Sequence, residues 1–526
     1  MARAGTIGAG TLASRVLGLA RDVVLAALFD RDATDAWWVA FTIPNALRQL
    51  LGEGAVSGAV VPILAEKLAR EGDAPAKRFF ARVRGTSLLS LVVVSALGVV
   101  FAAPITELFA GGYRDRPHEL ERTVALTRVV FPYIAFMGTA ALGMAALNAK
   151  RRFAIAAFAP GLLNVALIAA ALGLPGVLRS AGYDPVLALA WGALAGGLLQ
   201  VVAQWPALRA IGFADPPQLV FDDDVRRVLR RIGPMMLGIG IYAIDLVVAR
   251  RMLSGLGSGA QSYFAWAMRL CDFPQGVFVM ALSTAALPSL STLAAEGDRR
   301  EVAVTWAHGY NLAMFVAVPT SALFLALGEP IVVALFQHGA FDARASQETA
   351  RALAWQGAAV WTVAATRQLV PAFYALGDTR TPVLVSALDL CAFIGLAFGL
   401  RGSMGHVGVS AAVAGSSFVQ MVLLFAGLKL RMGTVCSAMV VPSALRVIGA
   451  SAAAGLAAWA SARLVEPEGP AGFVVRALPA VVGGGAFAAV FLLVAWGLGA
   501  RELDEIGDAL RRRIRARRAA PRGESR

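Results

Sequence analysis

Apolar runs of about twenty residues recur along the whole chain, each long enough to cross the roughly 30 Å hydrocarbon core of a bilayer as a helix. Of the 526 residues, 58% are hydrophobic and only 16% are charged. Soluble domains run at about 45–50% and about 25% respectively. Length alone would suggest several soluble domains, but a mean hydropathy of +0.67 overrides that expectation. The pattern predicts an all-α polytopic membrane protein with almost no soluble part. Fourteen spanning helices are expected, over residues 6–29, 35–60, 80–103, 123–148, 153–173, 184–208, 231–254, 260–290, 303–326, 347–375, 380–400, 406–430, 442–465 and 473–499. The first run holds arginines in its middle and lacks a short apolar core with a small-residue cleavage site, so a cleavable signal peptide is not expected.

The loops between these runs carry an orientation signal. Lys67, Lys77, Arg78, Arg82, Lys150, Arg151, Arg152, Arg226, Arg227 and their counterparts fall in alternate loops, which together with the C-terminal tail hold 29 basic residues. The intervening loops hold seven. Basic loops stay in the cytoplasm, so both termini are expected there. The same rule accounts for a net charge of +14 without nucleic acid as a partner. The tail from Arg501 is polar and basic, and Arg511–Arg518 would lie against anionic headgroups.

An internal repeat is visible. Pro44, Val61-Pro62, and Glu71-Gly72-Asp73 recur as Pro274, Leu287-Pro288, and Glu296-Gly297-Asp298 at offsets of 230, 226 and 225. Ala146–Phe153 matches Ala375–Pro382 at an offset of 229. Six helices per repeat keep both halves in one orientation, related by a pseudo-twofold axis along the membrane normal, with a substrate site near the midplane. The expected divisions are an N-lobe over 1–210, a C-lobe over 211–435, an appended helix pair over 436–500 and the basic tail over 501–526. Pro44, Pro132, Pro160, Pro234, Pro274, Pro288, Pro319 and Pro371 are expected to interrupt or begin helices.

Against this apolar background the buried charges stand out. Arg15 lies roughly 13 Å and Arg21 roughly 22 Å into the first helix, and Arg48 roughly 20 Å into the second. Each arginine near mid-membrane costs about 2.5–3.5 kcal/mol on insertion scales. Asp22, Asp35 and Glu53 could pair with them in a purely structural network. Otherwise the surplus positive charge calls for an anion. Guanidinium suits phosphate, because its planar fork makes two parallel hydrogen bonds and keeps its proton. Further along, Arg269 has Asp272 three residues on, and Arg367 has no acid within four residues. Asp245 and Asp389 could pair with an arginine, bind a cation or carry a proton in coupling. Cys271, Cys391 and Cys436 are far apart and read as packing residues; His118, His308, His338 and His406 have no metal spacing. No Walker A sequence and no nucleophile or paired-carboxylate arrangement is present, so neither catalysis, a cofactor nor a bound metal is expected.

The first helix pair resembles the MurJ (MviN) family of lipid II flippases. The resembling segments are Ser14–Asp22, Ala33–Ala36, Phe41–Arg48, Gly52–Ala55 and Val61–Leu64. Phe131-Pro132-Tyr133, Phe158-Ala-Pro160, Arg269–Pro274, Leu335–Gly339 and Phe373-Tyr374 extend the similarity over about residues 10–430. The resemblance implies the fold of the multidrug/oligosaccharidyl-lipid/polysaccharide exporter superfamily, with two six-helix lobes around a cavity. It implies two further C-terminal helices associated with a groove for a polyprenyl tail. It implies that Arg15, Arg21, Arg48 and Arg269 line the cavity, with Asn45, Asp35 and Glu53 among the substrate-binding residues. The sequence departs from the family pattern at Met268, where many relatives carry an acid, and around Asp245, whose neighbours are neutral. The residues of a sodium site known in some relatives are therefore not expected here.

The function implied is flipping of lipid II, an undecaprenyl-diphosphate-linked muropeptide, across the bacterial inner membrane by alternating access. Membrane lipids and the cell-wall synthesis machinery are the other partners implied. A flippase for another polyprenyl-diphosphate glycan is the nearest alternative. A drug/cation antiporter fits less well, because cations want acids in the cavity rather than arginines.

Overall fold

The computed structural model describes residues 2–48, 56–276, 290–433, 435–467, 469, 472–505 and 507, and for residues 2–9, 11, 47, 48, 56–58, 153, 154, 156, 157, 233–243 and 435–437 it describes the backbone. The described residues are helical almost throughout. In chain order the helices are α1 (Ala2–Leu28), α2 (Arg31–Arg48), α3 (Val56–Arg70), α4 (Asp73–Val100), α5 (Ala102–Phe109), α6 (Pro117–Val130), α7 (Tyr133–Ala149), α8 (Phe153–Ser180) and α9 (Leu187–Ala210). They continue with α10 (Asp223–Ser254), α11 (Ala260–Pro274), α12 (Arg299–Phe336), α13 (Ala343–Ala358), α14 (Val360–Ala375), α15 (Arg380–Met404), α16 (His406–Met432), α17 (Val435–Leu464) and α18 (Phe473–Gly497). Helix is the answer to hydrocarbon, where no water is present to satisfy a free N–H or C=O. Among the described residues nine helical segments are long and apolar enough to cross a membrane. The expected spans outside that set are those of α1, α2–α3, α10, α11 and α13–α14, each with charged side chains in its interior.

The chain divides by packing into two units. The first comprises Met1–Trp266, Phe336–Ala345 and Ala397–Val409; the second comprises Ala267–Leu335, Ser346–Leu396 and Ser410–Arg526. The boundary therefore falls inside α11, after Trp266, and α10 packs with α3, α4 and α5 of the first unit.

In the first unit a core of Ile63, Phe79, Phe80, Leu142, Leu147 and Phe213 joins α3, α4 and α7 to the segment after α9. That segment crosses α4 at close range: the Gln218 N–H donates to the Ala81 carbonyl at 3.0 Å, and a Cβ on Gly85 would lie 2.2 Å from the Gln218 oxygen. Basic loop residues close the same end. Arg82 pairs with Asp222 at 2.5 Å, Lys67 with Asp224 at 2.9 Å and Lys150 with Asp73 at 2.6 Å. The loops rich in Lys and Arg are thus joints between helices as well as carriers of charge.

In the second unit α17 and α18 pack on α12. Ala450, Ala454, Ala458 and Ala462 form a small-residue stripe on α17, and Phe487 and Phe491 of α18 meet Phe315 and Leu327 of α12. Small residues let helix backbones approach where no water drives association. Hydrogen bonds join α13 and α14 to α16: the Gln356 amide donates to Ser410 Oγ at 3.0 Å, and Thr362 shares one with Ser417 at 3.0 Å. Cys271 is buried as a packing residue, whereas Cys391 is exposed on α15, because its position on that helix faces away from the core. The described part of the C-terminal segment folds back, with Ser443 Oγ donating to the buried Glu502 at 2.5 Å; Arg511–Arg518 lie outside the described residues.

The repeat reaches the backbone. Left-handed residues after the helices pair as Gly72 with Gly297, Arg151 with Gly377, Gly182 with Gly405 and Gly212 with Gly433, all separated by 221 to 226 residues. Arg151 (φ 58°) is a non-glycine residue with positive φ. The Arg152 and Asp378 N–H groups donate to Leu147 and Phe373, so this turn repeats at 226 rather than at the offset of 229 that the residue match suggests. Identity had aligned side chains that the turn itself does not place in register. Pro132 separates α6 from α7 as expected, while Pro44, Pro160 and Pro319 are absorbed inside α2, α8 and α12. The break in α12 falls at Leu327 (φ −124°, ψ 17°). Pro330, which the sequence reading passed over, has no N–H for the Ala326 carbonyl and crowds it.

Gly85→Ala forces a methyl against backbone that cannot rotate away, and overpacking of this kind costs about 1–3 kcal/mol. The thermal midpoint of the purified protein should fall, whereas Gly173→Ala, with open space around it, should leave it unchanged or slightly raised.

Candidate functional site

Arg21 is the most buried of the sequence-predicted arginines whose side chains are described, at 7% exposure, and Asp22 beside it is at 2%. Its Nε and Nη2 donate to Asp22 Oδ1 at 2.8 and 2.5 Å, and its Nη1 donates to Asn164 Oδ1 on α8 at 3.0 Å. Asn164 Nδ2 in turn donates to the Ser14 carbonyl at 3.0 Å. This circuit fastens α1 to α8 and gives Arg21 a resident carboxylate partner. Arg15 is half-buried seven residues before Asp22, on the same face of α1. Sequence reasoning missed Asn164; its signal was a lone amide inside the apolar stretch of α8.

Asp35 has a different occupation. It is the fifth residue of α2, at 3% exposure. One oxygen accepts the Gly259 N–H and the other the Ser262 N–H, both at 2.7 Å. These are free amides at the N-terminus of α11, where the helix dipole also favours a carboxylate. Thr34 accepts a hydrogen bond from Ser262 Oγ at 2.7 Å, and Ser258 Oγ donates to Asp32. Both carboxylate oxygens of Asp35 are spent on the fold. Nearby, Arg31 pairs with Asp342 at 2.6 Å, and the Ala340 N–H donates to the Ala27 carbonyl at 2.9 Å. Gly339 has φ 55°, and a Cβ there would lie 2.2 Å from that carbonyl, so only glycine fits. Aromatic contacts brace these joints: Trp37 stacks on Phe41, and Trp38 meets Trp266 edge-on.

The remaining candidates are placed as follows. Asn45 is half-buried after Pro44, and Arg48 ends α2, with its side chain outside the described residues. Glu53 also lies outside them. Arg269 is half-buried on α11, Asp245 on α10 and Arg367 on α14. Asp389 is half-buried on α15. Arg250, which the sequence reading did not single out, is buried; its Nη1 donates to Gln261 Oε1 at 2.9 Å, and Gln261 returns a bond to the Arg250 carbonyl at 2.7 Å. The structure thus joins Arg21 to Asp22 and Asn164, and commits Asp35 to α11.

The profile of the family described as "Lipid II flippase MurJ" matches residues 24–479. The chain belongs to the MurJ family. It is 34% identical to the lipid II flippase MurJ of Burkholderia cenocepacia over 439 residues, covering 81% of this chain and 83% of that protein. It is 32% identical over 426 residues to a probable lipid II flippase MurJ of Bdellovibrio bacteriovorus, covering 80% of this chain and 81% of that one. Among solved structures, a lipid II flippase MurJ in an inward closed conformation superposes with a TM-score of 0.74 at 21% identity, covering 94% of this chain and 99% of that chain. An inward-facing multidrug MATE transporter gives 0.67 at 13% identity, covering 81% and 96%. At such identities these two likenesses establish the fold. As in the rest of the MurJ family, the chain is a multi-pass membrane transporter rather than an enzyme. Arg48 and Arg269 fall within the matched interval, whereas Arg15 and Arg21 precede it.

Asp35→Ala strands two buried N–H groups, at about 1–3 kcal/mol each. A clear fall in thermal midpoint is expected, with Asp35→Asn intermediate because one carbonyl acceptor survives. Unfolding of Asp35→Ala at the parental temperature would refute the capping role.

Proposed function

We propose that this chain flips lipid II between the leaflets of the bacterial cytoplasmic membrane by alternating access, with its buried arginines receiving the diphosphate. The observation that carries the reading is the guanidinium of Arg21, held at depth in a chain that belongs to the MurJ family. Arg15, Arg48 and Asn45 are the further contacts proposed from the first two helices, and Arg269 from α11. Asp35 serves the same region by holding the start of α11, and Glu53 is kept among the proposed substrate-binding residues. Asp245, Arg367 and Asp389 are the residues proposed for coupling.

The pairing of Arg21 with Asp22 shapes the mechanism. A phosphate must compete with that carboxylate for the guanidinium fork. Asp22 then acts as a resident counter-charge: it keeps Arg21 tolerable in an empty site and yields when two phosphate groups arrive. Exchange of one anion for another moves positive charge through no unpaired state, which a low-dielectric site would penalise heavily. The arginines recognise the diphosphate rather than the glycan, so another polyprenyl-diphosphate glycan shares the same chemistry. The excess of basic residues in alternate loops supports termini in the cytoplasm. For the moving bodies we retain the division at residues 1–210 and 211–435. Residues 436–500 are assigned to the polyprenyl tail.

The test is translocation of labelled lipid II in liposomes holding the purified protein. Arg48→Ala and Arg21→Lys should each lower the rate by about tenfold or more, since the second keeps the charge but loses the fork. Parental rates in both folded variants would remove the arginines from the mechanism. Depletion of the protein in cells should leave chemically unchanged lipid II on the cytoplasmic side; an altered lipid would point to an enzyme instead.

A further inference from the structure

A groove of about 670 Å³ opens on the first unit between α4, α7 and α9, far in sequence from the arginines of α1 and α2. Val92 and Val100 of α4, Pro132 and Thr139 at α7, and Leu198 and Val201 of α9 are among its walls. It follows α4 from Leu88 to Val100, roughly 18 Å along the axis, against about 15 Å for one leaflet of hydrocarbon. Val92, Val100 and Leu198 are exposed, so the groove opens outward. One end is shaped by the α6–α7 break: the Phe131 ring occupies the place of a missing Cβ on Gly98.

The other end is cationic. Arg84 and Trp205 continue the α4 and α9 walls by one helical turn beyond Leu88 and Val201. The Arg84 guanidinium carbon lies 5.7 Å from the Trp205 ring centre, and Nη1 donates to the Phe213 carbonyl at 3.3 Å. Nη2 is buried and has no hydrogen-bond partner among the described residues, in a side chain at 6% exposure. A charged donor hidden from water and left unspent is a donor waiting for an anion. Lys77 and Arg78 on α4 and Arg209 at the end of α9 add positive charge around it. The acids at this end include Asp73, Asp222 and Asp224, already paired with Lys150, Arg82 and Lys67, and the exposed Asp215.

We infer that this groove is a binding site for an anionic membrane phospholipid, its acyl chain lying between α4, α7 and α9 and its phosphate accepting from Arg84 beside Trp205. The chemistry is complementary at both ends: a leaflet-deep apolar trough for the chain, and a guanidinium–indole pair at the depth of the headgroup, where tryptophan and arginine suit the interface. Such a lipid is a resident of the bilayer, distinct from the transported substrate, and it would brace the α6–α7 break and the segment that crosses α4 at Gly85.

Full-length protein in phosphatidylcholine vesicles is titrated with spin-labelled phosphatidylglycerol and, separately, with spin-labelled phosphatidylcholine. A saturable, motionally restricted component is expected with phosphatidylglycerol and not with phosphatidylcholine. Arg84→Gln should weaken it about fivefold, the effect of one interfacial cation. Val92→Trp, which fills the groove at an exposed position without touching Arg84, should abolish it while keeping the parental thermal midpoint. Equal restricted fractions for the two lipids would overturn the proposal, as would parental binding in Val92→Trp. Parental binding in folded Arg84→Gln would overturn the headgroup assignment; should that variant not fold, Val92→Trp and Ala96→Trp decide. Displacement of the label by undecaprenyl phosphate but not by unlabelled phosphatidylglycerol would make the occupant an isoprenoid and sink the phospholipid reading. The readout is independent of lipid II translocation, so either proposal can fail alone.

Discussion

A guanidinium cannot sit in the interior of a membrane protein without a counter-charge, and the way Arg21 is satisfied organises the first helices. Asp22 supplies the charge and Asn164 the remaining acceptor, while Asn164 closes the circuit on the Ser14 carbonyl. One buried cation thereby welds α1 to α8. Under the function proposed above, a lipid phosphate would compete with Asp22 for Arg21, so binding would exchange one partner for another rather than rescue a bare charge.

The same economy governs the helix ends. In a bundle of spans the four free amides and four free carbonyls at each terminus must find partners. At α11 the partner is Asp35, 224 residues away from Gly259. At the loop before α13 it is Asp342, which accepts the Ala345 N–H while pairing with Arg31. Gly339 presses its backbone on Ala27 because no side chain intervenes. These joints are polar, short and held by residues distant in sequence. They differ from the alanine stripe of α17, which packs by continuous surface.

Much of this was legible beforehand, and the reasons are local. Helix positions followed from the length of apolar runs, and Pro132 broke its span because a missing N–H acts on its own turn. The duplication was visible in Glu-Gly-Asp loops whose glycines prove to have positive φ at 72 and 297. Where local signals compete, reading failed. Pro319 bends nothing that the packing does not absorb, while Pro330 breaks α12 at Leu327. Residue identity put the turns near residues 151 and 377 three positions out of register, since what the repeat preserves there is the left-handed conformation and not the side chain.

Sequence by itself settled the solvent, the helical class, the approximate positions of the apolar helices, and the presence of arginines within them that demand a partner. Each of these depends on neighbours within a turn or two, or on composition. Tertiary structure alone decided which partner answers each charge: Asn164 for Arg21, the α11 amides for Asp35, the Phe213 carbonyl and Trp205 for Arg84. The physical reason is range. Hydropathy and periodicity act along the chain, but a buried polar atom is satisfied by whatever packing brings within 3 Å, and that is set by the whole fold at once.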